Sequence, residues 1–131
     1  MRTLLILFLL LCLPAVAEEV SRPQMQREAR WLHSSAEKLY TCAGFPFGPQ
    51  WQMSPAQQSP QSFLRAAERF ELAWLEPGST LATTRPAYDR LRNAYDKVKV
   101  YARVNMNAQE SIVLERTMDR LDTLYGVARE H

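Results

Sequence analysis

TCAGFPFGPQWQMSPAQQSP, residues 41–60, is the stretch that decides how the chain is divided. It holds Cys42, half of the eight prolines, and the large apolar side chains Phe45, Phe47, Trp51 and Met53. From Gly44 to Ser59 no helical or strand period is visible. A connection this long is uncommon inside a compact domain and tends to be functional or disordered. Its aromatics argue against disorder, and its prolines limit the freedom lost on fixing it. The spacing predicts one helix before this stretch and three after it.

Outward from the loop, each flank carries helical periodicity with start and stop chemistry. Ahead of it, Ser21-Arg22-Pro23-Gln24 reads as a capping box with proline in the first turn. Met25, Ala29, Leu32, Ala36, Leu39 and Ala43 then recur by fours and threes, the stripe of a bundle helix. Gly44 offers a left-handed stop. After the loop, Ser59-Pro60 predicts the second helix start. Its apolar face is Phe63, Ala66, Ala67, Phe70, Ala73 and Trp74, and Pro77-Gly78 ends it. Residues 78–84 read as a solvated turn. A third helix is expected from near Thr84, with Tyr88, Leu91, Tyr95, Val98 and Ala102 inward. Asn107-Ala108-Gln109-Glu110 reads as a second capping box and breaks that helix from a fourth. The fourth carries Leu114, Met118, Leu121, Tyr125 and Ala128 and frays over 129–131. Short turns between the last three helices make them antiparallel neighbours. The expected fold is therefore all-α: a four-helix up-down-type bundle with one long loop between helices 1 and 2.

The first residues read as an export signal. Met1-Arg2 is a positive start, Thr3 to Leu13 an apolar run, and Ala15-Val16-Ala17 a cleavage site. The run is short of the roughly 20 residues that span a bilayer. Residues 1–17 are thus expected to be removed, leaving 18–131 as a single domain with no membrane anchor, periplasmic or secreted. Cys12 leaves with the signal, so Cys42 can form no internal disulfide; an intermolecular one remains open to it. The formal charge of +2 falls by one when Arg2 is removed. That balance makes no electrostatic case for nucleic acid.

Few residues offer chemistry. Cys42 falls in the last turn of a helix, where the dipole disfavours a thiolate. A small buried apolar role, an intermolecular disulfide that would give a homodimer, and a reactive thiol are its three readings. His33 lies beside the core stripe and shares a face with Glu37. No other internal histidine is present to complete a metal site. The covalent haem motif is absent, and Met25, Met106 and Met118 read better as core fillers than as axial ligands. Arg85, Arg92, Lys99 and Arg103 form a basic stripe on helix three. Asp89 and Asp96 are interleaved with them, as on a solvated face of weak pairs. Tyr40, Tyr88, Tyr95, Tyr101 and Tyr125 fit either a pocket lining or the edge of a core with hydroxyls in water. No phosphate-binding glycine loop or nucleophile elbow occurs.

No stretch carries the motif of a known family. The plan is generically similar to exported stress chaperones, sensor domains and immunity proteins, and that likeness implies architecture only. The expected function is a non-enzymatic binding module with a protein partner and no cofactor. Phe45 and Phe47 are expected to plug the bundle while Trp51 and Met53 touch the partner. The alternative is a carrier that holds a small molecule or a cofactor such as haem in the bundle interior.

Overall fold

The computed structural model describes residues 20–42 and 55–127, the side chains of residues 42 and 55–58 excepted. Every regular element among these residues is helical. Helix α1 spans Arg22–Cys42, α2 Pro55–Leu75, α3 Leu81–Asn105 and α4 Ala108–Tyr125. None of them is long and apolar enough to cross a membrane.

Two helices begin about a turn earlier than the sequence suggests. The sequence places the start of α2 at Ser59-Pro60, but the helix begins at Pro55. The chain carries two Ser-Pro pairs five residues apart, and Ser54-Pro55 satisfies the same start rule. Pro60 becomes the sixth helical residue. It gives up one bond, to the Ala56 carbonyl, and its ring is buried. Likewise α3 starts at Leu81 rather than near Thr84, which leaves Pro86 sixth in that helix. Thr80 is the N-cap. Its hydroxyl accepts from the Thr83 N–H at 3.1 Å, and the Thr83 hydroxyl accepts from the Thr80 N–H at 2.8 Å. Threonine fills the reciprocal position usually taken by Glu or Gln. Residues 78–84 are accordingly no solvated turn: Ser79 and Thr84 are buried.

The break between α3 and α4 falls at the expected place. Asn107 caps α4 by accepting from the Gln109 N–H at 2.8 Å. Glu110 does not close the box; its carboxylate turns to Lys38 on α1 instead. The helix ends at Tyr125, ahead of the expected fraying, because Gly126 takes the left-handed conformation at φ 68°. Gly126 N–H then donates to the Thr123 carbonyl and Val127 N–H to Asp122, the Schellman pattern. Ala43, Gly44 and Ala128 lie outside the described residues.

The inward faces agree with the periodicity. Met25, Ala29, Leu32, Ala36 and Leu39 of α1 are fully buried. So are Phe63, Ala67 and Phe70 of α2, Tyr88, Leu91 and Val98 of α3, and Leu121 of α4. Helix α2 packs extensively on both α1 and α3, whereas α4 meets α3 less closely and α1 only thinly. Aromatic rings fill the centre. Tyr88 and Tyr125 stack with centroids 4.3 Å apart, Phe70 lies 5.9 Å from Tyr88, and Phe63 lies 6.0 Å from Tyr95. Such offset and tilted pairs add to the stabilisation that ring burial alone provides.

Candidate functional site

The strongest chemistry in the sequence pattern turns out to be sealed inside. Tyr88 on α3 donates its hydroxyl to the carboxylate of Asp122 on α4, and both residues are buried. Arg92, one turn further along α3, reaches the same carboxylate oxygen at 3.2 Å. Beside them Tyr125 takes part in three interactions. Its hydroxyl accepts from the Trp74 indole at 3.1 Å and lies 2.7 Å from the Thr84 hydroxyl, while its carbonyl accepts from Arg85 at 2.8 Å. Burial, then the bond to Asp122, pushes the Tyr88 phenol well above its ordinary range. Burial also raises Tyr125, partly opposed by the bonds from Thr84 and Trp74. Both therefore remain neutral hydroxyls. The phenol donates to a buried carboxylate that is also ion-paired with arginine, and buried polar contacts of this kind fix one arrangement of helices. These two tyrosines thus do not keep their hydroxyls in water.

The stripe on α3 is as mixed as its charges suggest. Arg85 pairs with Asp89 at 3.0 Å, and Arg92 and Lys99 both sit 3.9 Å from Asp96. Arg103 crosses to Glu115 on α4 at 3.1 Å. The reach of Arg92 to Asp122 was not legible, since Asp122 reads as one more polar residue of an outer face.

The open feature is the seam between α1 and α4. Two ion pairs bridge it: Glu28 with Arg120, and Lys38 with Glu110 at 3.4 Å. The partners step ten residues up α1 and ten residues down α4, so these helices run antiparallel here. At 1.5 Å per residue the two bridges stand about 15 Å apart. Near the first lies a groove of about 280 Å³, lined by Arg27, Glu28 and Trp31 of α1 and by Val113, Thr117 and Arg120 of α4. Near the second is a groove of about 470 Å³, where Lys38 and Thr41 face Met106, Asn107 and Glu110. The far wall of the second groove is the α3–α4 link together with Glu110. Trp31 is half-buried, and Val113 is exposed. Small and hydroxyl-bearing residues sit buried along these two helices: Ser35, Ser111 and Thr117.

His33 does pair with Glu37, at 3.1 Å. The structure adds Glu68 and Glu71 of α2, which sequence spacing cannot bring to it. Among the described residues no group of three or more His, Cys, Asp or Glu is arranged to hold a metal ion. Cys42 is the last residue of α1, and its side chain lies outside the described residues, as do Phe45, Phe47, Trp51 and Met53.

The chain matches no known family model, no curated protein and no solved structure.

Proposed function

We propose that the chain is an exported, non-enzymatic protein-binding module, and that the α1–α4 seam is its docking face. In this reading residues 1–17 are a cleaved signal, and residues 18–131 form one up-down bundle in the periplasm or outside the cell. The opposed stepping of the two ion-pair bridges supports the up-down arrangement for α1 and α4. The observation that carries the docking proposal is the contrast between the two sides of α4. Toward α3 it presents the buried Asp122, bonded by Tyr88 and paired with Arg92; toward α1 it leaves two open grooves, the smaller lined by Trp31, Arg27 and Arg120.

The occupant that fits is a segment of another protein presenting a bulky apolar side chain next to a carboxylate. Trp31 and Val113 supply the apolar floor, and aromatic anchors of this kind dominate interface energetics. Arg27 is exposed on the rim, and Arg120 is the second guanidinium, already held by Glu28. In the smaller groove two guanidiniums stand against the one carboxylate of Glu28, which favours an acidic neighbour on the partner there. Trp51 and Met53 are assigned to the same partner on the sequence argument alone. An interior carrier is less well supported, because Phe63, Phe70, Trp74 and Tyr88 fill the centre of the described bundle.

The test is capture from periplasmic extract with the mature chain and with Val113→Glu and Arg27→Glu. Both positions are exposed, so both variants should melt like wild type. A partner held by wild type and by Leu72→Ala, but lost from both seam variants, supports the reading. A partner retained by both seam variants sinks it. An absorbance scan and metal analysis of native material check the carrier alternative.

A further inference from the structure

The charges of α2 and α3 are sorted by edge. Two ring contacts fix how these helices lie together: Phe63 on Tyr95 and Phe70 on Tyr88. Going from Phe63 to Phe70 along α2 means going back from Tyr95 to Tyr88 along α3, so the helices run antiparallel in a fixed register. Arg69 then stands level with Arg90, and Arg65 falls between Arg90 and Lys97. All four side chains are exposed. Arg65 and Arg69 are one turn apart on α2; Arg90 and Lys97 are two turns apart on α3. The spacing puts Ala66 and Ala73 of α2 and Ala87 and Ala94 of α3 between the two rows, where small side chains let these helices pack extensively.

The carboxylates of the same helices are turned to other edges. Glu68 and Glu71 lie within 3.6 Å of His33 on α1. Asp89 pairs with Arg85 and Asp96 with Arg92, and Arg92 also reaches Asp122 on α4. Glu76 adds a negative charge past the end of α2. Arg69, Arg90 and Lys97 take no part in an ion pair among the described residues. A formal charge of only +2 thus conceals a face on which positive charge is left over. Val104 stands a further two turns along from Lys97, with Val100 one turn before it; the two are 76% and 63% exposed.

We infer that this outer face of α2 and α3 rests on an anionic phospholipid surface. The cations lie in two rows side by side rather than around one point, with about 10 Å between Arg90 and Lys97. Phosphodiester headgroups offer a plane of negative charge at that scale, and guanidinium and ammonium groups both bind phosphate. Val100 and Val104 then enter the boundary between headgroups and acyl chains, as the apolar residues of interfacial helices do. The association is peripheral, since no described helix is long and apolar enough to cross a membrane. Each cation near the surface strengthens attachment about fivefold. The face belongs to α2 and α3, so the inference does not depend on what the α1–α4 seam binds.

The test uses the full mature chain and two vesicle preparations at about 0.1 M salt, where screening confines attraction to about 10 Å. One is phosphatidylcholine alone; the other is phosphatidylcholine and phosphatidylglycerol in equal parts. Wild type should float with the mixed vesicles, be released as salt is raised, and stay behind with phosphatidylcholine. Arg69→Glu with Arg90→Glu should weaken binding at least about tenfold. Val104→Ser should weaken it several-fold and leave the salt release unchanged. Arg30→Glu with Arg116→Glu is the control. It removes the same charge from exposed positions on α1 and α4 and should bind within about twofold of wild type. Should Arg69→Glu with Arg90→Glu fail to melt like wild type, Arg69→Gln with Arg90→Gln takes its place and should still bind more weakly than the control. No flotation with the mixed vesicles, equal binding to both preparations, or equal losses in the two charge-reversal pairs would overturn the inference. Capture on polyglutamate through Arg69 and Arg90, without binding to the mixed vesicles, would overturn it in favour of an acidic protein.

Discussion

Replacing Tyr88 by Phe removes one oxygen from the centre of the protein and keeps the ring. The stack on Tyr125 and the tilted contact with Phe70 survive, so the change isolates the hydroxyl. That hydroxyl donates to the Asp122 carboxylate and lies 3.3 Å from the Met118 carbonyl. A hydrogen bond to a charged acceptor contributes about 1.5–3 kcal/mol, and a buried acceptor left short of a donor adds its own desolvation cost. Arg92 still faces Asp122 at 3.2 Å, so the carboxylate is not stranded. The expected loss is about 2 kcal/mol, a large part of the stability of a domain this size. Asp122→Ala leaves Arg92 free to turn toward water and Asp96, since the arginine is 24% exposed. Its cost should therefore stay below the 3–5 kcal/mol typical of breaking a fully buried pair, at about 2–3 kcal/mol. The double variant should show a coupling of about 1.5 kcal/mol or more. Urea denaturation with an unchanged m-value measures all four corners of the cycle. If the two costs add to within about 0.5 kcal/mol, the network is not a cooperative lock and the reasoning fails.

The same phenol predicts behaviour in alkali. Its titration is raised above the ordinary value of 10.0 in the fold, so its stabilisation is complete below about pH 10 and declines above it. The urea midpoint of wild type should then drop more steeply beyond pH 10 than that of Tyr88→Phe. Leu121, fully buried, should cost about 2–5 kcal/mol when cut to Ala, read by the same titration. Thr80→Ala removes the N-cap of α3 and should cost about 1 kcal/mol; no change would mean that α3 does not start there. The mature chain should begin at Glu18, and mass analysis of exported material that retains residues 1–17 would refute the signal.

The helices were legible because their inward residues recur at a period that only one face of a helix satisfies. Met25 to Leu39 is the clearest case, and all five of its predicted core residues are buried. Helix starts were less legible, for a definite reason. A proline fits the first turn of a helix without loss, so Pro60 and Pro86 each invite a start beside them. Both instead sit sixth in their helices and cost one hydrogen bond apiece. At α3 the Thr80–Thr83 pair of reciprocal bonds fixes the earlier start. The stop of α4 was within reach, since Gly126 follows Tyr125 directly and glycine is the usual left-handed stop. Asp122 was beyond reach: its burial depends on which residues of α3 face it, and no spacing within α4 carries that information.

The joints around α4 differ in kind, and the proposed docking face rests on that difference. Toward α3 the helix is tied by Tyr88, Asp122 and Arg92, with Trp74 of α2 holding Tyr125 from the far side. Separating these would expose a paired carboxylate and several buried donors together, which is costly. Toward α1 the visible ties are Glu28–Arg120 and Lys38–Glu110, whose basic members are 55% and 64% exposed. Lys38–Glu110, exposed at both ends, contributes about 0–1 kcal/mol; Glu28 is only 14% exposed, so its tie to Arg120 is partly sheltered. The start of α1 is meanwhile fastened elsewhere, by Arg22 to Ser79 and the Glu76 carbonyl and by Gln26 to the Trp74 carbonyl. Helix α1 can thus stay attached to the end of α2 while its edge toward α4 shifts. A segment entering that seam has two ion pairs to displace rather than a buried network, and it meets Trp31 and Val113 beside them. The same entry on the α3 side would have to break the core. The unequal strength of the two joints, rather than the size of either groove, is what favours the α1–α4 seam as the binding face.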